Sequence, residues 1–225
     1  MAQDQDIDFW RSPRRLWLVV DNNSWILPYA EELAGAIREQ FGDRVELCRR
    51  HDDIGEGIAA FYLGCVHMAP PEVLARNRYN LVVHESDLPA GRGFAPLTWQ
   101  ILAGRNSIPV CLFEATAEAD AGPVYLRDEL VFEGHELNPE LRAAQGRMTQ
   151  TLVLRFLALA EPPAGEPQAG DPGTYPRRAP ADSRLDVNKS LAEQFDLLRV
   201  ADNERYPAFF EFRGHRYRLR IDKLS

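Results

Sequence analysis

Residues 16–20 (LWLVV) are continuously apolar and stop abruptly at Asp21-Asn22-Asn23-Ser24, as a strand buried on both faces does when it emerges into a polar loop. Pro28 then suits a first helical turn, and Ala30, Leu33, Ala34, Ile37 and Phe41 recur at helical spacing until Gly42. The unit repeats. Strands are predicted over residues 45–48, 58–63, 80–84 and 108–114, with a short run at 124–126. Helices are predicted over 70–76, 95–104 and 138–160. Strands alternating with helices imply right-handed crossovers, hence an α/β fold: a Rossmann-like, largely parallel sheet with helices on both faces. Ligands of such sheets collect beyond the carboxyl ends of the strands, and His84 stands at a strand end.

With 225 residues, 45% of them hydrophobic, there is material for one ordinary core and a small appendage. Residues 161–176 are dense in Pro and Gly and lack periodicity, the pattern of an extended linker. We therefore expect a main domain over 1–160, a linker over 161–176 and an extension over 177–225. In the extension a helix is predicted over 188–201 and a hairpin over 208–221 turning at Arg213-Gly214. Asp4, Asp6 and Asp8 oppose the basic start of a secretory signal. Cys48, Cys65 and Cys111 sit in apolar runs without pairing or ligand spacing. A cytoplasmic protein with packed thiols is expected, without disulfides or a membrane span. The net charge of -8 argues against a nucleic-acid partner. His51, His67, His135 and His215 are scattered, so no metal is expected. Neither a G-x-G-x-x-G fingerprint nor a P-loop is present.

Residues 83–96 read VHESDLPAGRGFAP, and Asp120-Ala121-Gly122 makes a turn whose aspartate lies 36 residues beyond His84. Alone, each is ordinary. Together they closely resemble the H-x-S-L-L-P-x-x-R-G-x-x-P signature and the D-[AT]-G turn of the 10-formyltetrahydrofolate-dependent formyltransferases, a family that includes methionyl-tRNA formyltransferase and nucleotide-sugar N-formyltransferases. His84, Ser86, Leu88, Pro89, Arg92, Gly93 and Pro96 carry the match. Residues 177–219 resemble the segment that follows the family's catalytic domain, so the resemblance covers 83–219 and assigns residues 1–160 to that domain.

The resemblance implies an N-formyltransferase drawing on 10-formyltetrahydrofolate. Formyl transfer to an amine develops an oxyanion and releases a proton, and an imidazole can manage both. His84 is the expected catalytic base, with Asp120 fixing its tautomer through a hydrogen bond, direct or through one water, at the carboxyl ends of neighbouring strands. Ser86, Leu88, Pro89, Arg92, Gly93, Asp120 and Gly122 are expected to bind the folate, Gly91 and Gly93 letting backbone approach a flat pterin. The family places an asparagine two residues before the histidine; here Val82 stands there. Asn80, on the same side of the strand, is the candidate replacement, with Asn22 or Asn23 as others if strand one neighbours the His84 strand. Two further readings stay open: altered chemistry such as hydrolysis of the formyl donor, and a folate-binding module without turnover. The acceptor is expected to be a small amine, a nucleotide-linked amino sugar rather than tRNA, because the tail is only ~50 residues long and no dense basic stripe is present. Phe209, Phe210, Phe212 and Tyr217 exceed what a lone hairpin can bury. Their partner is the main domain or a second copy in a homodimer.

Overall fold

A computed structural model of the chain describes residue 10, residues 13–161 and residues 163–224; the acidic start at Asp4, Asp6 and Asp8 lies outside them. Strand β1 (Arg15–Val19) leads into α1 (Leu27–Phe41), whose Ala30, Leu33, Ala34 and Ile37 are buried. The helix stops because Gly42 takes a left-handed φ of 69° and donates its N–H to the Arg38 carbonyl. Then come β2 (Arg44–Cys48), β3 (Gly57–Tyr62), the one-turn α2 (Pro71–Leu74), β4 (Asn77–His84), the short β5 (Arg92–Gly93), α3 (Pro96–Leu102), β6 (Ser107–Glu114) and β7 (Val124–Val131). The long α4 (Asn138–Leu157) precedes β8 (Thr174–Tyr175), α5 (Phe195–Arg199) and the hairpin β9 (Ala208–Phe212) with β10 (His215–Leu219). Among the described residues, no helix is long and apolar enough to cross a membrane.

Six strands form the main sheet in the order β2-β1-β3-β4-β6-β7. The first four are parallel, whereas β6 runs antiparallel to β4, and β7 antiparallel to β6. The reversal has a geometric cause. Helix α3 has seven residues and β4 eight, so the helix advances ~10 Å where the strand covers ~26 Å. It cannot return the chain to the amino edge, and β6 starts at the carboxyl edge and runs back. His84 therefore pairs with Cys111, and the carboxyl end of β6, Glu114, pairs with Leu81. The β7 strand runs to Val131, five residues past the short run read from sequence, because its solvent-facing positions are charged and hide the apolar alternation.

The sheet's two faces are unequal. Leu16, Leu18, Phe61, Tyr79, Leu81 and Leu112 pack with residues of α1, α3 and α4 in the main core, where Trp10, Phe61, Tyr79 and Tyr125 meet Phe156 edge-on. On the opposite face Trp17, Val19, Ala60 and Tyr62 are covered by Val73 of α2, and Cys111, Phe113 and Val124 by Leu88. Helices thus lie on both faces, but the second carries one turn of helix and irregular segments.

Residues 163–175 are extended, yet tied down. Glu166 and Val124 exchange both backbone hydrogen bonds at 2.8 Å, and β8 pairs in parallel with β5. Beyond it, the helix expected over 188–201 is shorter: a 3-10 turn, Ala192–Gln194, leads directly into α5. Ser190 and Glu193 cap it reciprocally, Ser190 N–H donating to the Glu193 carboxylate at 2.8 Å and Glu193 N–H to Ser190 Oγ at 3.3 Å, so the helical turns start only after Ser190. Leu185, Leu198, Ala201 and Ala208 form a small core with Phe210 at its margin. Arg199, 1% exposed, anchors this unit to the main body by donating to Asn106 Oδ1 at 2.8 Å and to the Glu136 carboxylate at 3.3 Å.

Candidate active site

Alternation along β4 sends Val82 and His84 to the face that the long helices leave free. His84 is 6% exposed; its Nε2 lies 2.9 Å from the Gly91 carbonyl oxygen, and its ring meets Phe113 edge-on at 6.1 Å. A carbonyl can only accept, so Nε2 is the donating nitrogen and Nδ1 is the one turned away from this bond. Among the described residues Nδ1 has no hydrogen-bond partner.

The loop after β4 is built to hold that ring. Leu88 plugs into Cys111, Phe113 and Val124 and is followed by a cis peptide to Pro89. Gly91 and Gly93 take φ of 81° and 101°, in the left-handed region that side chains avoid. A Cβ at Gly91 would sit 2.8 Å from the Tyr175 ring, and one at Gly93 would overlap the Tyr175 carbonyl oxygen. The backbone these glycines admit is thus the chain's own β8 segment. Gly173 O accepts from the N–H groups of Gly91 (3.0 Å) and Arg92 (2.8 Å), and Tyr175 O from Phe94 (3.2 Å). Gly122 is likewise pressed against the Glu114 carbonyl.

Asp120, at a left-handed φ of 52°, reaches this loop rather than the histidine: its Oδ2 accepts from Gly93 N–H at 2.8 Å. Of the two arrangements expected, direct or through one water, a direct His84–Asp120 hydrogen bond is absent among the described residues. The two meet through the 91–93 loop, His84 on Gly91 and Asp120 on Gly93, and Asp120 comes from the connection after the antiparallel β6 rather than from a parallel neighbour's carboxyl end. Gln168, which sequence reasoning passed over, locks the arrangement. Its Nε2 donates to the carbonyls of Asp120 and Gly122, both at 2.8 Å, and its Oε1 accepts from Arg92 at 2.9 Å. Arg92 also pairs with Glu118 at 3.0 Å. Two polar atoms of the loop are buried without a partner among the described residues, Ser86 Oγ and Arg92 Nε.

None of the asparagines proposed to replace the missing amide stands beside His84. Asn80 is 4% exposed and committed: Nδ2 donates to Leu74 O (2.9 Å) and Asn77 O (3.3 Å), and Oδ1 accepts from Tyr62 (3.3 Å). Asn22 donates to Asp21 and Gly64, and Asn23 Oδ1 accepts from Arg49. Both follow β1, which β3 separates from β4.

Above the carboxyl end of β4, Glu85 accepts from Gln145 at 2.8 Å, and Arg142 bonds Gln145 at 3.0 Å while its guanidinium covers the Trp25 ring at 4.7 Å. Burial lowers the Arg142 pKa, opposed by the charges of Glu85 and Asp202; Arg178 and Arg205 add positive charge to the same neighbourhood.

No protein-family model matches the chain. A methionyl-tRNA formyltransferase from Leifsonia xyli subsp. xyli is 32% identical over 178 residues, covering 76% of this chain and 57% of the relative. One from Dechloromonas aromatica is 33% identical over 152 residues, 67% of this chain and 49% of the relative. The chain belongs to the formyltransferase family. It spans about half the length of these curated relatives. Several solved structures share the fold. A methionyl-tRNA formyltransferase from Clostridium thermocellum superposes with a TM-score of 0.79 at 18% identity, covering 94% of this chain and 93% of that one. A sugar N-formyltransferase from Shewanella sp. FDAARGOS_354 gives 0.70 at 14%, covering 94% and 98%. HypX from Aquifex aeolicus in complex with tetrahydrofolic acid gives 0.69 at 16%, covering 91% of this chain and 37% of that one. Residues 84–93 and 120–122 carry a local sequence resemblance. Gln168 and Tyr175 carried none, because their roles arise only when a Pro/Gly-rich segment folds back.

Proposed function

We propose that the chain is a cytoplasmic N-formyltransferase that moves a formyl group from 10-formyltetrahydrofolate to a small amine, an amino sugar carried on a nucleotide. The observation that carries this reading is the His84 imidazole, whose Nε2 is pinned to the Gly91 carbonyl, which leaves Nδ1 without a partner among the described residues on the thinly covered face of the sheet. The donor suits the unpartnered Ser86 Oγ and Arg92 Nε, on a loop corresponding to the family's folate signature, and a structural neighbour of the same fold is described with tetrahydrofolic acid. Ser86, Leu88, Pro89, Arg92 and Gly93 would hold the donor, with Asp120 and Gly122 bracing them from behind. When bound, the folate supplies the formyl group. His84 Nδ1 takes the proton that the amine loses as its nitrogen bonds the formyl carbon, and returns a proton to the folate nitrogen as the old carbon–nitrogen bond breaks. The Gly91 carbonyl stabilises positive charge on the ring meanwhile, as Asp120 does through its charge.

The acceptor side favours an anionic molecule with a flat ring. Trp25 under Arg142, with Arg178 and Arg205 nearby, suits a nucleotide's base and phosphates, whereas the net charge of -8 disfavours a long polyanion. The curated relatives act by name on methionyl-tRNA, so initiator tRNA is the rival acceptor to be assayed. A second reading rests on Val82 and on the full commitment of Asn80: without an amide donor the site would bind folate while turning over slowly or not at all, or would hydrolyse the formyl donor. Calorimetric titration with a stable 10-formylfolate analogue tests the proposal. We expect one site per chain, weakened by Arg92→Ala; an absence of binding would sink the folate reading, and binding without transfer to any amine would favour the second one.

A further inference from the structure

Strands β2, β1 and β3 are adjacent and parallel, so the residues that follow them emerge side by side at one edge of the sheet. Asp21 stands two residues beyond β1, His51 three beyond β2 and Cys65 three beyond β3. One donor atom from each, a carboxylate oxygen, an imidazole nitrogen and a sulfur, lie within 4.8 Å of one another. The His51 Nε2 to Asp21 Oδ2 separation is 3.7 Å, close to the ~3.4 Å edge of a tetrahedron whose metal–ligand bonds are about 2.1 Å.

Independent features point the same way. His51 Nε2 is buried and has no hydrogen-bond partner among the described residues, an arrangement that costs free energy unless something fills it. Its ring is held edge-on by Tyr62 at 5.6 Å. Asp21, whose side chain is 6% exposed, is gripped by the N–H groups of Val66 and His67, each at 3.0 Å, and by Asn22 at 2.8 Å. This is the outer hydrogen bonding that orients a ligating carboxylate. His67, exposed on the solvent side, places Nδ1 3.0 Å from the same carboxylate. The Cys65 thiol, which donates to the Val19 carbonyl at 3.3 Å and would release that proton on binding a metal, completes a set in which oxygen, nitrogen and sulfur are each represented. Such a mixture suits a borderline transition metal and not magnesium or calcium, which take oxygen alone.

We propose that Asp21, His51 and Cys65 form a binding site for a divalent transition metal of the zinc class, with a fourth position open towards His67. The sequence concealed it because its ligands lie 30 and 14 residues apart and are united only by the sheet.

Titration of the metal-free full chain with Co²⁺, read by absorption, tests the site. One equivalent should bind with a thiolate-to-cobalt charge-transfer band. Cys65→Ser should abolish the band, His51→Ala should weaken binding at least about tenfold, and Cys48→Ser should leave both unchanged. A wild-type chain without the band, or a band surviving Cys65→Ser, overturns the proposal. Because Cys65→Ser could unfold the edge, the unmodified chain supplies a second readout. Stoichiometric Zn²⁺ should protect Cys65 from alkylation, mapped by peptide mass spectrometry; equal labelling with and without zinc contradicts the site.

Discussion

At the scale of single residues, burial divides the labour. His84 is positioned by one carbonyl and one aromatic edge, so His84→Asn should cut formyl transfer by about 10²–10⁴ while costing no more than about 2 kcal/mol of stability. Cys111, fully buried among Leu88, Phe113 and Val124, has no chemical part. Cys111→Ser should lower stability by about 1–3 kcal/mol, the cost of burying a poorly partnered hydroxyl, and leave turnover per folded molecule intact. Equal losses of activity from both variants at unchanged stability would contradict that division. Glu114 supplies a pH test. Burial pushes its pKa up to about 7 against hydrogen bonds from Asn80 N–H and Tyr125. The folded state thus holds a proton that the unfolded chain releases above the ordinary value near 4.5. Stability from this group is full at acid pH and is lost as pH rises through 7, by on the order of 3 kcal/mol. Denaturation of Glu114→Gln should match wild type near pH 5 and exceed it near pH 8; parallel stability profiles would show that the carboxyl is not the cause.

Among elements, the segment over 163–175 is the one whose part changes most between sequence and fold. Its composition announces an extended chain, and extended it is, but Gly173, Tyr175 and Gln168 use its free backbone and one amide to clamp the 91–93 loop. Replacing Gln168 with Ala leaves the Asp120 and Gly122 carbonyls and the Arg92 guanidinium short of a partner. We expect faster proteolytic nicking within 163–175 and a donor KM raised about tenfold with kcat less affected; unchanged nicking would mean the clamp does not depend on Gln168. The elements whose signal is local, namely β1 to β4, α1, α4 and the hairpin, were legible from periodicity and turn residues alone. The histidine loop and the Asp120 turn, singled out in sequence by resemblance, meet at the 91–93 backbone. What sequence could not reveal was pairing at a distance: the reversed direction of β6, decided by the brevity of α3, and the engagement of Asn80 by Leu74, Asn77 and Tyr62. The assembly of Asp21, His51 and Cys65 from three strand ends was hidden for the same reason.

The molecule as a whole sets His84 and its loop on the thinly covered face of the sheet, and its C-terminal unit brings Arg178 and Arg205 towards Arg142 at the same carboxyl edge. The hairpin's Phe210 stacks on Tyr217 at 5.4 Å, while Phe212 and Tyr217 remain 50% and 45% exposed. The main domain therefore does not cover them, which favours a second copy packed across a two-fold axis. Light scattering should give a dimer that Phe212→Asp with Tyr217→Asp converts to a folded, active monomer; a wild-type chain that stays monomeric at high concentration rules this out. Formyl transfer at His84 can be followed by its products. Full-length chain is incubated with 10-formyltetrahydrofolate and a panel of nucleotide-linked amino sugars, and products are read by mass spectrometry. We expect an N-formylated sugar nucleotide formed with one equivalent of tetrahydrofolate and lost in His84→Asn. Formylation of initiator tRNA alone, tetrahydrofolate release without a formylated product, or undiminished product from His84→Asn would contradict it.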